Sequence, residues 1–456
     1  MLPPVTTPAH RRPAAEPSGR RPGGPGTPRT GSSAGVLAAG VAALLAAACG
    51  GEPSPPEPGL ECPYPGEGPV TTLRLPAPED WDDVPVRSTR EVLSLGGAAA
   101  PDSADPAAVS DVAAGPDGEL HVADARAGRV LVFSPTGELL RRVSPPDSVS
   151  RGRFGGALRL AVGPGDTLRV FERQRWRESV FDGRGRLLGT RSFEPRRAPR
   201  GAPDVRFDGQ GRLYHLAYEG FQAGVEEELG VGIQEALRDS TGRVGRGPVT
   251  LDRWSPSDSA WRTLARMHST RFYVSRDAGL RDAPFAPGPA WATVPGGGVW
   301  IADTGEYLLT RLSAGGDTLC RIRVDREPPQ VSDEERTAYR EASDAVTRSM
   351  IQLRDIRRTR SELPVPERRP ALDGLHVDGS GDLHVRPAPE SWPGRGEELH
   401  VIGRDGRPRA RVRLPRDVRV LRVTGDAVLG LRGGDGDPVE VVKLDKSGPG
   451  GAPGGG

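Results

Sequence analysis

The chain has 456 residues, with 62 Lys and Arg against 61 Asp and Glu for a net charge of +1, and only three cysteines. Nothing in such a balance points to nucleic acid, the cysteine count excludes a disulfide-dense scaffold, and the cysteine spacing excludes a Cys-x-x-Cys centre. Five basic residues but only Glu16 fall in the first 48 residues, so the remainder is slightly acidic.

Residues 1–48 read as a signal peptide. Five arginines precede the uncharged run Ala34 to Ala48, which is too short for a stable membrane span. Ala46-Ala47-Ala48-Cys49 resembles a bacterial lipobox, which makes Cys49 the expected lipid attachment point; an ordinary secretory signal and an uncleaved anchor are the alternatives. Residues 49–87 form a tether and N-terminal extension, rich in Pro, Gly and Glu to about Pro69. Val70–Leu75 and Glu91–Leu95 are short strand candidates. Cys62 and Cys320 are the two remaining cysteines, and the sequence accommodates either a disulfide between them or two free thiols.

A repeat begins at Ser110. Ser110–Ala113, Glu119–Asp124, Arg129–Phe133 and Glu138–Val143 are short strands separated by glycine turns, and the middle two carry apolar residues on the core face. A second unit from Leu158 to Phe193 follows the same order, with Phe181-Asp-Gly-Arg-Gly matching Phe133-Ser-Pro-Thr-Gly. The third unit starts at Asp204 and is interrupted by a loop insertion at 219–246, within which Val225–Leu237 reads as helical. Unit four runs from Ala290 to Val324. A polar helix at 332–357 follows it, opened by a capping box of Ser332 and Glu335. Unit five spans Leu372 to Leu414. Unit six, Val418 to Leu444, supplies only three strands before a tail at 446–456.

The missing strand decides the architecture. A four-stranded antiparallel sheet leaves its edges exposed, and a ring closed by a strand from the other end of the chain removes that edge. Glu91–Leu95 is free to complete unit six. The expected fold is therefore all-β: a six-bladed beta-propeller of four-stranded antiparallel blades over 88–445, with a helical insertion after blade 4. A seven-bladed ring drawing on Val70–Leu75 is the competitor.

Asp117-Gly118, Val122-Ala-Asp124 and Arg129-Val-Leu-Val-Phe133 resemble the NHL-type repeat, and Val299-Trp-Ile-Ala-Asp303 carries the likeness in unit four. The chain as a whole resembles bacterial six-bladed propeller lipoproteins. That resemblance implies export and lipid anchoring at a cell-envelope membrane, an outer membrane facing the periplasm or exterior.

Connections after the second strands should share one face. They place Asp124, Arg126, Glu172, Arg173, Trp176, Tyr218, Glu219, Asp303, Glu306, Trp392 and Arg395 on a candidate ligand-binding rim for an envelope protein, peptide or glycan. No catalytic motif, no metal-ligand spacing and no cofactor fingerprint is present, and no cofactor or nucleic-acid partner is expected. His121, His215 and His384 occupy similar second-strand positions in separate units, and His268, His376 and His400 form no motif. The sequence thus points first to a non-catalytic binding or scaffolding propeller. A metal-dependent lactonase-like or other hydrolase propeller is the alternative, although a resemblance to the gluconolactonase group would need channel Asn residues, and this chain contains no asparagine.

Overall fold

The computed structural model describes residues 70, 72–97, 108–147, 151–156, 158–195, 204–218, 221–255, 259–276, 279–349, 363–389, 397–433 and 439–448. Two N-terminal strands, β1 (Thr72–Leu75) and β2 (Val86–Gly96), precede the repeats. Blade one is β3 (Val109–Ala114), β4 (Leu120–Asp124), β5 (Arg129–Phe133) and β6 (Leu139–Val143). Blade two is β7 (Leu158–Gly163), β8 (Thr167–Glu172), β9 (Arg177–Phe181) and β10 (Leu187–Ser192).

Blade three opens with β11 (Asp204–Phe207) and β12 (Leu213–Ala217). Helices α1 (Phe221–Leu229) and α2 (Ile233–Ala236) and strand β13 (Arg243–Gly245) intervene before β14 (Pro248–Ser255) and β15 (Ala260–His268) complete it. Then β16 (Phe272–Ser275) and β17 (Gly279–Asp282) pair with β13 in a separate three-stranded sheet. Val225, Leu229, Ile233, Ala236 and Val274 give this satellite its own core. The sequence reading anticipated helix here but not the sheet, because strands of three or four residues show no usable period.

Blade four is β18 (Pro289–Thr293), β19 (Val299–Asp303), β20 (Leu308–Leu312) and β21 (Thr318–Val324). Helix α3 (Asp333–Ser349) follows, with its capping box formed in both directions: Glu335 N–H donates to Ser332 Oγ over 3.2 Å, and Ser332 N–H to Glu335 Oε2 over 2.9 Å. Buried Arg369 holds Glu335 at 3.3 Å, which pins the helix start to the approach to blade five. That blade is β22 (Leu372–Val377), β23 (Leu383–Pro387), β24 (Glu398–Ile402) and β25 (Pro408–Arg413). Blade six takes β26 (Arg419–Val423), β27 (Ala427–Arg432) and β28 (Glu440–Gly448) from the C-terminal end and β2 as its outer strand.

Six hydrophobic clusters, one at each junction between adjacent blades, close the ring. Val130 and Leu160 meet between blades one and two, Trp176 and Val205 between two and three, and Leu251 and Trp291 between three and four. Leu309 and Leu372 follow between four and five, Val412 and Val428 between five and six, and Leu429 and Val122 between six and one. The first strands touch in the same cyclic order. Six blades, not seven, therefore form the propeller.

The N-terminal strands act as a strap. β1 runs parallel to β21 at the outer edge of blade four, and the start of β2 runs parallel to β25 before β2 joins blade six. Three blade edges are covered by one segment. Cys320, on β21, is disulfide-bonded, and both other cysteines, Cys49 and Cys62, lie outside the described residues. No helix among the described residues is long and apolar enough to cross a membrane.

Candidate active site

Strand alternation in a four-stranded blade puts two kinds of connection on one face: the loops between second and third strands, and the links from one blade to the next. The satellite and α3 both sit in such connections, and Phe285 and Tyr339 bring them together with ring centroids 5.7 Å apart. This face is the built-up one. The beginnings of the first strands open onto it, and they carry charge where a sheet interior would carry apolar residues.

Asp111, Arg159, Asp204, Arg206, Asp373, His376 and Arg422 all lie on first strands. Arg422 of blade six reaches past blade one to the Leu160 carbonyl of blade two at 3.1 Å, which is possible only across the central channel. His376 of blade five lies in the fields of Arg206 of blade three and Arg422 of blade six, and blade four separates five from three. These side chains therefore converge in the channel. Arg386 on β23 and Arg173, just after β8, join them.

Every aspartate of the group is engaged. Asp111 accepts the N–H groups of Val112 and Leu160, each at 2.9 Å, and lies 3.4 Å from Arg422. Asp204 accepts the Trp291 indole N–H over 2.6 Å and sits 3.8 Å from Arg206, while Asp373 pairs with Arg386 at 2.9 Å. Burial works against ionisation of Asp204, but Arg206 and Arg159 more than offset it and its pKa is lowered. Arg206 in turn lies over the Trp291 ring, 4.6 Å from its centroid, and donates to the Trp291 carbonyl.

His376 is different. Half-buried, it makes no hydrogen bond among the described residues, and burial followed by Arg386 and Arg206 holds its pKa well below that of an ordinary imidazole. At neutral pH it is an uncharged base facing cations. Tyr218 stands at the edge of this group, its pKa raised to about 12 by burial and by the carboxylates of Asp282, in the satellite, and Asp204.

The rim expected from sequence is divided by the structure. Asp124 is fully buried: it accepts Ala127 N–H at 3.0 Å and pairs with Arg129 at 3.3 Å, so it caps its own loop. Glu172 repeats that role in blade two, held by Gly155 N–H, Arg175 and Arg177. Trp176 turns inward and packs edge-on against Phe171 and His215, because its ring gains more from the core between blades two and three than from solvent. Arg126 remains exposed on the blade one loop. Arg173 and Tyr218 lie in the field of the channel carboxylate Asp204, and Tyr218 also packs against the core between blades three and four. Asp303 and Glu306 instead border a cleft of about 300 Å³ at the junction of blades three and four, facing Arg266 and His268 and paired with Arg246 (3.8 Å) and Arg323 (2.8 Å) respectively. Glu219, Trp392 and Arg395 lie outside the described residues.

Sequence reasoning missed the channel group. One signal for it was available: polar residues on the first strands of different units, with Asp111, Arg159 and Asp204 at one register position and His376 and Arg422 two residues nearer the following turn. Among the described residues no three His, Cys, Asp or Glu side chains come together as a metal-binding group.

No family model matches the chain, and no curated protein matches it. Solved structures do resemble it. Virginiamycin B lyase from Staphylococcus aureus aligns at 8% identity and a TM-score of 0.34, covering 77% of this chain and 98% of that one. A gluconolactonase from Xanthomonas campestris aligns at 14% and 0.33, covering 78% and 98%. An exported protein from Bacteroides fragilis, described as putative, aligns at 9% and 0.40, covering 83% and 100%. Likeness of this degree speaks to the fold alone. The expectation of a non-catalytic binding or scaffolding module finds no support there, since the structures aligned include a lyase and a gluconolactonase.

Proposed function

We propose that the propeller is a hydrolase that cleaves an ester or lactone in its central channel. The observation that carries this reading is the placement of His376, neutral and free of hydrogen bonds among the described residues, facing Arg206 and Arg422 across the channel. In the proposed step His376 takes a proton from water as the water oxygen bonds to the carbonyl carbon. Negative charge then develops on the carbonyl oxygen, where guanidinium groups stabilise it. Collapse breaks the bond to the leaving oxygen, and the imidazolium returns the proton to it. Among the described residues no group of three His, Cys, Asp or Glu side chains comes together to hold a metal for the metal-dependent form of this reaction.

The test is hydrolysis of a panel of lactones and aryl esters by the purified chain and by His376→Gln. General-base removal typically costs 10²- to 10⁴-fold, so at least a ~100-fold loss is expected. Equal rates in the variant, or no turnover of any panel member, overturn the reading.

We further propose that the chain is an NHL-like lipoprotein of a bacterial envelope, anchored through Cys49. The supporting features are the arginine-flanked apolar segment before Cys49 and the strand-and-turn repeat. Intact-mass measurement of membrane-extracted protein checks it: a diacylglyceryl adduct at Cys49 is expected, and a released, unmodified chain contradicts it.

A further inference from the structure

Arg159 and Arg173 belong to the same blade and stand side by side at the channel mouth. Burial, and then the charge of Arg159, brings the Arg173 pKa down to about 10. Arg159 Nη1 donates only to backbone carbonyls, those of Ser110 at 2.9 Å and Leu158 at 3.4 Å. Arg173 makes no hydrogen bond or ion pair among the described residues, and its Nε is fully enclosed without a partner. Asp204 and Asp111 act on the pair only through space: Asp111 is already held by two backbone N–H groups and Arg422, and Asp204 by Trp291 and Arg206, so neither makes a hydrogen bond or ion pair with Arg159 or Arg173.

A half-buried charge with unmade hydrogen bonds is costly, and two like charges together are more so. What offsets both is an anion with several acceptor oxygens, which guanidinium forks match in geometry. We infer that Arg159 and Arg173 form an oxyanion-binding site at the channel mouth, taking a carboxylate or phosphate group carried by the substrate. The inference rests on the reading that substrate is held in this channel and adds the class of substrate: an anionic ester or lactone, its charged group at the mouth and its carbonyl deeper, towards His376.

The experiment is isothermal titration calorimetry of the full chain with inorganic phosphate and, separately, with malonate, at low ionic strength. Saturable binding of at least one anion is expected, weakened tenfold or more in Arg173→Gln and Arg159→Gln, partly restored in Arg173→Lys and unchanged in the exposed control Arg126→Gln. Tighter malonate binding assigns a carboxylate, and tighter phosphate binding a phosphate. Thermal unfolding without added anion separates recognition from structure: the Arg173→Gln midpoint should hold or rise, since repulsion is relieved. No binding at millimolar anion, or unchanged affinity in Arg173→Gln, overturns the inference. His376→Gln should keep its anion affinity within about twofold. Anion binding without ester turnover would leave this site standing and remove the hydrolase reading, and turnover without anion binding would do the reverse.

Discussion

Trp291 of blade four donates its indole N–H to Asp204 of blade three over 2.6 Å, while the face of the same ring carries Arg206. One residue thus holds both members of a charged pair at the channel wall. Trp291→Phe keeps a ring beneath Arg206 but leaves Asp204 short of a donor, at an expected cost of about 1–3 kcal/mol. Urea denaturation at pH 7 measures it, and a change below about 0.5 kcal/mol would show that the bond contributes nothing to the wall.

Loop capping separates two of the residues that the sequence placed on one rim. Glu172 is buried and holds the exposed Arg175 at 2.9 Å and the mostly buried Arg177 at 2.5 Å, so Glu172→Ala removes the buried carboxylate of this ion pair and should cost about 3–5 kcal/mol. Arg126→Ala, on an exposed loop, should stay within about 0.5 kcal/mol of the parent. Equilibrium unfolding of the two variants side by side is the check.

Acid should attack the junction of blades four and five. Tyr307 Oη lies 3.0 Å from His400 Nδ1, and His400 Nε2 lies 3.4 Å from Glu398, which also accepts from Arg411. Burial raises the Glu398 pKa, but the hydrogen bonds from His400 and Arg411 outweigh it and bring the value down to about 2 from an ordinary 4.5. A depressed carboxylate gives stability that is fully present above about 4.5 and is lost as pH falls towards about 2. Glu398→Gln should therefore cost on the order of 2–4 kcal/mol at pH 6, and its difference from the parent should shrink towards zero by about pH 2. A difference independent of pH would contradict the assignment.

The strap predicts an unequal pair of truncations. Deletion through Pro85 removes β1 and its pairing with β21 but leaves β2, whereas deletion through Gly96 also bares the edge of β28 and removes Leu95 from the core between blades six and one. The shorter deletion should unfold cooperatively with a lowered midpoint, and the longer should lose a single sharp transition and self-associate. Size-exclusion chromatography with urea titration distinguishes them.

The blades were legible because each repeats the same physics. Asp182 and Ser313 each accept N–H groups two and four residues on, so the turn between third and fourth strands carries a signature in sequence. The orphan strand that closes blade six was legible by the same count. The docking of β1 on blade four was not, since an edge strand of four residues has no mark of its partner. The rim misled because Asp124 and Glu172 end second strands and Trp176 follows one, where exposed loop residues are expected, yet their carboxylates and ring turn back into the protein. The channel group stayed hidden because an arginine on a first strand looks like any solvent-facing strand residue until the ring is closed.

The central claim stands most directly on the pH–rate profile of ester or lactone hydrolysis, measured as kcat/KM for the parent and His376→Gln. A base whose pKa is lowered stays neutral below the ordinary imidazole value of 6.5, so the parent rate should hold level from about pH 8 through that value and fall only at more acid pH, with the variant at least ~100-fold slower throughout. A decline centred at or above 6.5, or a variant as fast as the parent, would contradict the account.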